Sequence, residues 1–90
     1  MASTVFFPAI LARLTDAKSV EGNGATVGDV VSDLATRYPA LGPRLRDDAG
    51  QPYAFVTIYL NDEDIRFHGG FAAAVADGDE ITVVPAIAGG

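Results

Sequence analysis

The sequence predicts an α+β roll of the β-grasp type: a mixed sheet carrying one main helix and a flexible C-terminal tail. Three observations point there. Ninety residues make one domain. Only one segment carries an extended helical apolar stripe. Short β-prone runs flank it, two before and the others after, and a lone helix must bury its stripe on one face of a sheet. The first and last strands are then placed to pair in parallel at the sheet centre. The expected organisation is a β-grasp domain over residues 1–85 and a tail over 86–90.

Thr4-Val5-Phe6-Phe7 is a β-prone run closed by Pro8. Ala9 to Leu14 is apolar but short, and reads as a loop or a single turn. Lys18-Ser19-Val20-Glu21 alternates as an exposed edge strand does, and Gly22-Asn23-Gly24 ends it. Thr26 is an N-cap residue with Asp29 three positions on, in the first turn. Val27, Val30, Val31, Leu34 and Tyr38 then recur at helical spacing, and Pro39 stops the helix. Leu41 to Leu45 adds a turn, and Asp47 to Pro52 is a polar loop. Phe55-Val56-Thr57-Ile58-Tyr59-Leu60 is the strongest strand, and its composition suggests a central place covered on both faces. Asn61 to Asp64 turns the chain, and Ile65-Arg66-Phe67 reads as a short strand. Asp77-Gly78-Asp79 is a tight turn before the last strand, Glu80 to Val84, which Pro85 stops.

Composition removes whole classes of function. There is no cysteine, hence no disulfide, no Cys-ligated zinc, no iron–sulfur cluster and no thiol nucleophile. Twelve acids against six bases, the bases scattered, argue against nucleic acid as partner. The same charge steers the chain toward a basic protein surface, or simply keeps it in solution. Met1-Ala2-Ser3-Thr4 lacks a basic signal region, and no apolar run approaches the ~20 residues that span a bilayer. The expectation is a cytoplasmic protein with no membrane partner.

The usual catalytic residues do not assemble. His68 is the sole histidine, so neither a triad nor a zinc site can form around it. Asp62-Glu63-Asp64 and Asp77-Gly78-Asp79-Glu80 lack EF-hand spacing, and turn chemistry accounts for them. Gly22 to Thr26 precedes a helix, as an anion cradle does, but it has neither phosphate-loop motif, and a turn followed by an N-cap also explains it. The chain is expected to be no enzyme by itself and to bind no cofactor and no metal.

The C-terminus stands out instead. Ala86-Ile87-Ala88-Gly89-Gly90 follows the last strand with no charged or bulky residue. Five residues extend at most ~17 Å, at ~3.3–3.6 Å each. That reach is enough to thread a narrow channel and present Gly90 in another protein's active site. Two residues without Cβ let the channel close on bare backbone, and a terminal glycine leaves its carboxyl carbon unshielded. The plain alternative is a chain end without function.

Several stretches resemble the MoaD/ThiS family of ubiquitin-like sulfur carriers. They are Asn61 to Phe67, Gly69-Gly70, Ala76 to Glu80 and the ending Pro85-Ala86-Ile87-Ala88-Gly89-Gly90. Val5, Phe7-Pro8, Ile10-Leu11 and Val31 to Leu34 fit as well, and the similarity is greatest to the actinobacterial carriers of cysteine biosynthesis. Ile87 stands where valine is more usual. The resemblance implies that Gly90 is the reacting residue, a carboxylate that an E1-like adenylating enzyme activates with ATP and that becomes a thiocarboxylate. It implies that a PLP-dependent cysteine synthase takes up the sulfur and that a metallopeptidase releases cysteine. ATP, PLP and metal then belong to partners. The same tail suits the small subunit of molybdopterin synthase, a carrier for thiazole or a specialised metabolite, or a ubiquitin-like modifier joined to lysines. A β-grasp interaction module with an inert tail is the alternative outside this group.

Alternation also marks a docking face. Val5, Phe7, Val56, Ile58, Leu60, Ile81 and Val83 turn toward the helix, which sends Phe6, Thr57, Tyr59, Thr82 and Val84 to the other side. No second helix is at hand to cover that side. Phe6, Tyr59 and Val84, rimmed by acids, together with Ile87, Ala88 and Gly89 of the tail, are therefore the expected partner-binding residues, with the adenylating enzyme as occupant. The alternative is that Ala9 to Leu14 or Leu41 to Leu45 folds over the patch.

Overall fold

The computed structural model describes residues 2–85. Its strands are β1 (Ala2–Phe6), β2 (Ser19–Asn23), β3 (Val56–Leu60), β4 (Glu63–Asp64) and β5 (Glu80–Pro85). Its helices are α1 (Ala9–Thr15), α2 (Val27–Arg37) and α3 (Gly42–Leu45). The five strands form one sheet in the order β2-β1-β5-β3-β4. β1 and β5 pair in parallel through Thr4–Glu80, Val5–Ile81 and Phe6–Thr82, and the other neighbours are antiparallel. This is the β-grasp arrangement expected from the order of elements, with the first and last strands at the centre.

α2 begins as its sequence requires. The Thr26 hydroxyl accepts the Asp29 N–H at 3.1 Å, and Val27, Val30, Val31 and Leu34 are buried. They meet Val5, Phe7, Ile58, Ile81 and Val83 from the sheet, while Leu41 and Leu45 close one end of the core. Burial of each such side chain stabilises the fold by about 1.5–3 kcal/mol before conformational entropy is counted.

Four local expectations are corrected. Ala9 to Leu14 is neither loop nor single turn: Ala9–Thr15 is an α-helix that buries Leu11 and Thr15, two positions four apart on one face. It ends where Asp16 turns left-handed (φ 58°) and sends its N–H to the Ala12 carbonyl. Ile65–Phe67 is a 3-10 turn, not a strand, because the Asp64 carboxylate accepts the Arg66 N–H at 2.9 Å and caps it. β3 is not covered on both faces: only Ile58 is fully buried, since α2 packs on one side of the sheet alone. Two strands also run further than their breakers suggest, β2 through Gly22 to Asn23 and β5 to Pro85 itself.

Between β3 and β4, Asn61 (φ 51°) and Asp62 (φ 72°) form a two-residue turn with both residues left-handed. Strand twist demands that geometry, and Asn and Asp tolerate it.

The acids fasten loops. Asp79 accepts the Ala76 N–H at 2.8 Å and Asp77 accepts the Ala2 N–H at 3.1 Å. Asp64 pairs with Arg66 at 2.6 Å, and Asp33 with Arg37 at 2.8 Å. The Arg66 guanidinium and backbone N–H hold Asp64 below its ordinary value of 3.8, and the Ala76 N–H and Asn61 do the same for Asp79. Desolvation pushes Asp33 up, but the Arg37 guanidinium and the Asn23 N–H outweigh it, and the net shift is downward.

A carboxyl group more acidic in the folded chain binds fewer protons there. Its stabilisation is complete above the unfolded value and is lost as pH falls through the folded one. Denaturant titrations should therefore show stability falling below about pH 4. The triple variant Asp33→Asn/Asp64→Asn/Asp79→Asn should start less stable at neutral pH and lose less between about pH 5 and pH 3. Equal losses in both proteins would contradict the assignment.

Candidate functional site

Three features of the sheet converge on the end where β5 finishes. The first is the root of the tail. The backbone register places Pro85, the last described residue, opposite Val56 at the start of β3. Ile87, Ala88, Gly89 and Gly90, the residues expected to enter a partner, lie outside the described residues.

The second feature is the sheet face turned away from α2. Register puts Phe6, Thr82 and Tyr59 in one row across β1, β5 and β3, with Val84 and Thr57 in the next row toward the tail. Phe6 is 37% exposed and Val84 38%, and Tyr59 is half-buried. Neither candidate lid covers them. α1 sends Leu11 into the core, and Leu41 and Leu45 pack there as well. The structure thus brings Phe6, Tyr59 and Val84 together on one open face, leading toward the tail root. Glu21 and Glu80 flank Thr4 in the row beyond, and neither makes an ion pair among the described residues.

The third feature was not anticipated. A groove of about 310 Å³ opens between α1 and the segment entering β3. Ile10 and Leu14 form one wall and Tyr53, Phe55 and Val56 the other, and among the described residues Arg13 and Arg44 are the charged ones that line it. Ile10 is 60% exposed and Phe55 59%. Its walls come from opposite halves of the chain, so no local pattern could reveal it.

The other sequence candidates have structural duties. His68 Nε2 lies 3.2 Å from Glu63 on the surface. At the anion cradle considered for Gly22 to Thr26, the Asn23 N–H already donates to Asp33 at 3.0 Å and the Asp29 N–H to Thr26. Among the described residues no group of three or more His, Asp or Glu side chains is placed to hold a metal ion. No helix among them is long and apolar enough to cross a membrane.

Comparison with known proteins agrees with the fold. The chain matches the model of the ThiS family over residues 5–90. It is 50% identical over 90 residues to the sulfur carrier protein CysO of Mycobacterium tuberculosis, covering 97% of each chain. It superposes with a TM-score of 0.89 and 44% identity on a chain of the Amycolatopsis orientalis BexX/CysO complex, covering 98% of this chain and 99% of that one. It is also 39% identical over 66 residues to small archaeal modifier protein 3 of Haloferax volcanii, covering 73% of this chain and 71% of that protein.

Proposed function

This chain belongs to the ThiS family of ubiquitin-like sulfur carriers, and from that premise we propose that its Gly90 carboxylate is converted to a thiocarboxylate that donates sulfur in the biosynthesis of cysteine. The observation that carries the reading is that the family match runs through Gly89 to Gly90, at the far end of a tail rooted beside an open apolar sheet face. Carriers of this family are protein co-substrates, not enzymes.

The chemistry follows from the electrophilicity of the carboxyl carbon. A carboxylate resists attack, so an E1-like enzyme first joins it to AMP and releases pyrophosphate from ATP. Sulfide sulfur then forms the C–S bond as AMP departs, leaving a thiocarboxylate that is largely ionised and nucleophilic at neutral pH. On a PLP-dependent synthase that sulfur bonds to the side-chain carbon of O-phosphoserine, with loss of phosphate. Transfer of the acyl group from sulfur to the amine leaves cysteine amide-linked to Gly90, and a metallopeptidase hydrolyses that bond. ATP, PLP and metal belong to these cytoplasmic partners. The carrier contributes reach, a bare glycine backbone and a docking face.

Incubation with its adenylating enzyme, ATP and sulfide, followed by intact mass measurement, tests the reading. Exchange of one oxygen for one sulfur on Gly90 supports it, and an unchanged mass with an active enzyme refutes it. Small archaeal modifier protein 3 gives the second reading its footing, attachment of Gly90 to lysines as a modifier. In that case isopeptide-linked conjugates appear in place of the thiocarboxylate.

The acid-flanked sheet face fits a basic, apolar surface on the adenylating enzyme. Phe6→Ser/Tyr59→Ser should raise the KM for the carrier in adenylation by about tenfold or more, as loss of two aromatic anchors does. Its melting temperature should change little, because both side chains lie off the core. Unchanged adenylation kinetics would remove this face from the interface.

A further inference from the structure

We propose that the groove between α1 and the Tyr53–Val56 segment is a second docking surface, taken by an acidic, apolar-tipped segment of the enzyme that consumes the thiocarboxylate. The proposal rests on the carrier reading above.

Position is the first argument. Val56 lines the groove and is the register partner of Pro85, so the groove abuts the tail root. Five further residues reach at most ~17 Å. Any enzyme that holds Gly90 in its active site must therefore bring its own surface close to the groove.

Surface chemistry is the second. Ile10 and Phe55 are more than half exposed, and Tyr53 meets the Phe55 ring edge-on with centroids 5.4 Å apart. Braced aromatics beside an aliphatic wall lose little conformational entropy on binding, as interface anchors do.

Charge selects the occupant. The chain has twice as many acids as bases, yet among the described residues the charged ones lining this groove are Arg13 and Arg44. Neither makes an ion pair among the described residues. Both project from the last turns of short helices, where cations are favoured. The complementary surface is an aliphatic or aromatic side chain flanked by carboxylates, with guanidinium forks to engage them. The far sheet face is flanked instead by Glu21 and Glu80. A basic partner suits that face and an acidic one suits the groove. Two sides of one tail root with opposite charge fit two enzymes that use the tail in turn, one loading and one unloading.

Backbone amide NMR of the full chain tests this with the peptide Asp-Glu-Leu-Phe-Glu-Asp, blocked at both ends. Saturable shifts at Ile10, Arg13, Leu14, Arg44 and Phe55 are expected. They should vanish in Arg13→Glu/Arg44→Glu and with a peptide bearing lysines in place of the acids. No shifts, or equal shifts with the basic peptide, would overturn the proposal. If deleting residues 86–90 itself shifts the groove amides and tightens the peptide, the groove is occupied by the chain's own tail, and the proposal also fails. In kinetics, Arg13→Glu/Arg44→Glu should raise the KM for the thiocarboxylated carrier in the sulfur-consuming step about tenfold and leave adenylation unchanged. Loss of adenylation with normal consumption would refute the assignment. Failure of the parent protein to acquire sulfur refutes the carrier reading instead, and the peptide titration then decides on the groove independently.

Discussion

Removing Gly90 will leave a protein that melts like its parent and gains no sulfur. The buried core closes between Val5 and Val83, so the fold has what it needs before the tail begins. The chemistry has no such margin. With Gly90 gone, the carboxylate sits on Gly89, one residue and ~3.3–3.6 Å nearer the sheet. A misplacement of about 1 Å already costs about a hundredfold in a positioned reaction, and three times that distance takes the carbon out of reach of ATP. Gly90→Ala separates reach from access: it keeps the length but adds a methyl group beside the reacting carbon. It should slow sulfur gain by about a hundredfold, through the same loss of alignment. Intact mass after incubation with the adenylating enzyme, and thermal melts of all three proteins, check both variants. Sulfur on the Gly89 carboxyl of the deletion variant would show that Gly90 is not the reacting residue.

What the sequence disclosed and what it withheld divide along the range of the forces involved. α2 was legible because its signals are local: a capping threonine, an acid in the first turn, five apolar positions at helical spacing and a proline beyond the end. Alternation correctly separated the two faces of β1, β3 and β5, since one face is buried and a shift of a single residue would invert it. α1 escaped because seven residues give too few turns for a period to emerge, and Leu11 and Thr15 become a pair only when the core is present beneath them. Ile65–Phe67 carries β-prone residues, yet the Asp64 carboxylate outbids the sheet for the Arg66 N–H. β3 reads as doubly covered because its outer residues, Thr57 and Tyr59, are β-branched or aromatic. The structure leaves them on the open face, where an interaction surface and a buried strand have the same composition. The groove was the least legible feature: Ile10 and Phe55 meet only through the fold, and the arginines beside them look scattered until α1 and α3 bring Arg13 and Arg44 to one rim.

Gly24→Ala should be among the most destabilising single changes in the domain, for a reason the helix-cap reading did not contain. A Cβ at Gly24 would lie 2.6 Å from Asp29 Cβ, 2.7 Å from Val30 N and 2.9 Å from Asp29 C. Two of those three atoms are backbone, so no rotamer change relieves the clash, and the first turn of α2 must move. That turn is pinned from the other side. Val27 N–H donates to the Ala73 carbonyl at 3.0 Å, Val75 N–H to the Ala25 carbonyl at 2.9 Å, and Thr26 bridges Ala74. Displacing it drags Val27 and Val30, both fully buried, off the sheet. The cost should fall at the top of the overpacking range, about 3 kcal/mol. At ~4–8 °C per kcal/mol for a chain of this size, the melting temperature should drop by roughly 12–24 °C. Gly50→Ala is the control: its added methyl meets nothing within 4 Å, and only the left-handed backbone (φ 80°) opposes it, at about 1–2 kcal/mol. A smaller drop for Gly24→Ala than for Gly50→Ala would mean that α2 is not held where the structure has it. Below its lowered melting point Gly24→Ala should still acquire sulfur, because the clash lies on the helix side of the sheet, whereas Phe6, Tyr59 and Val84 lie on the other.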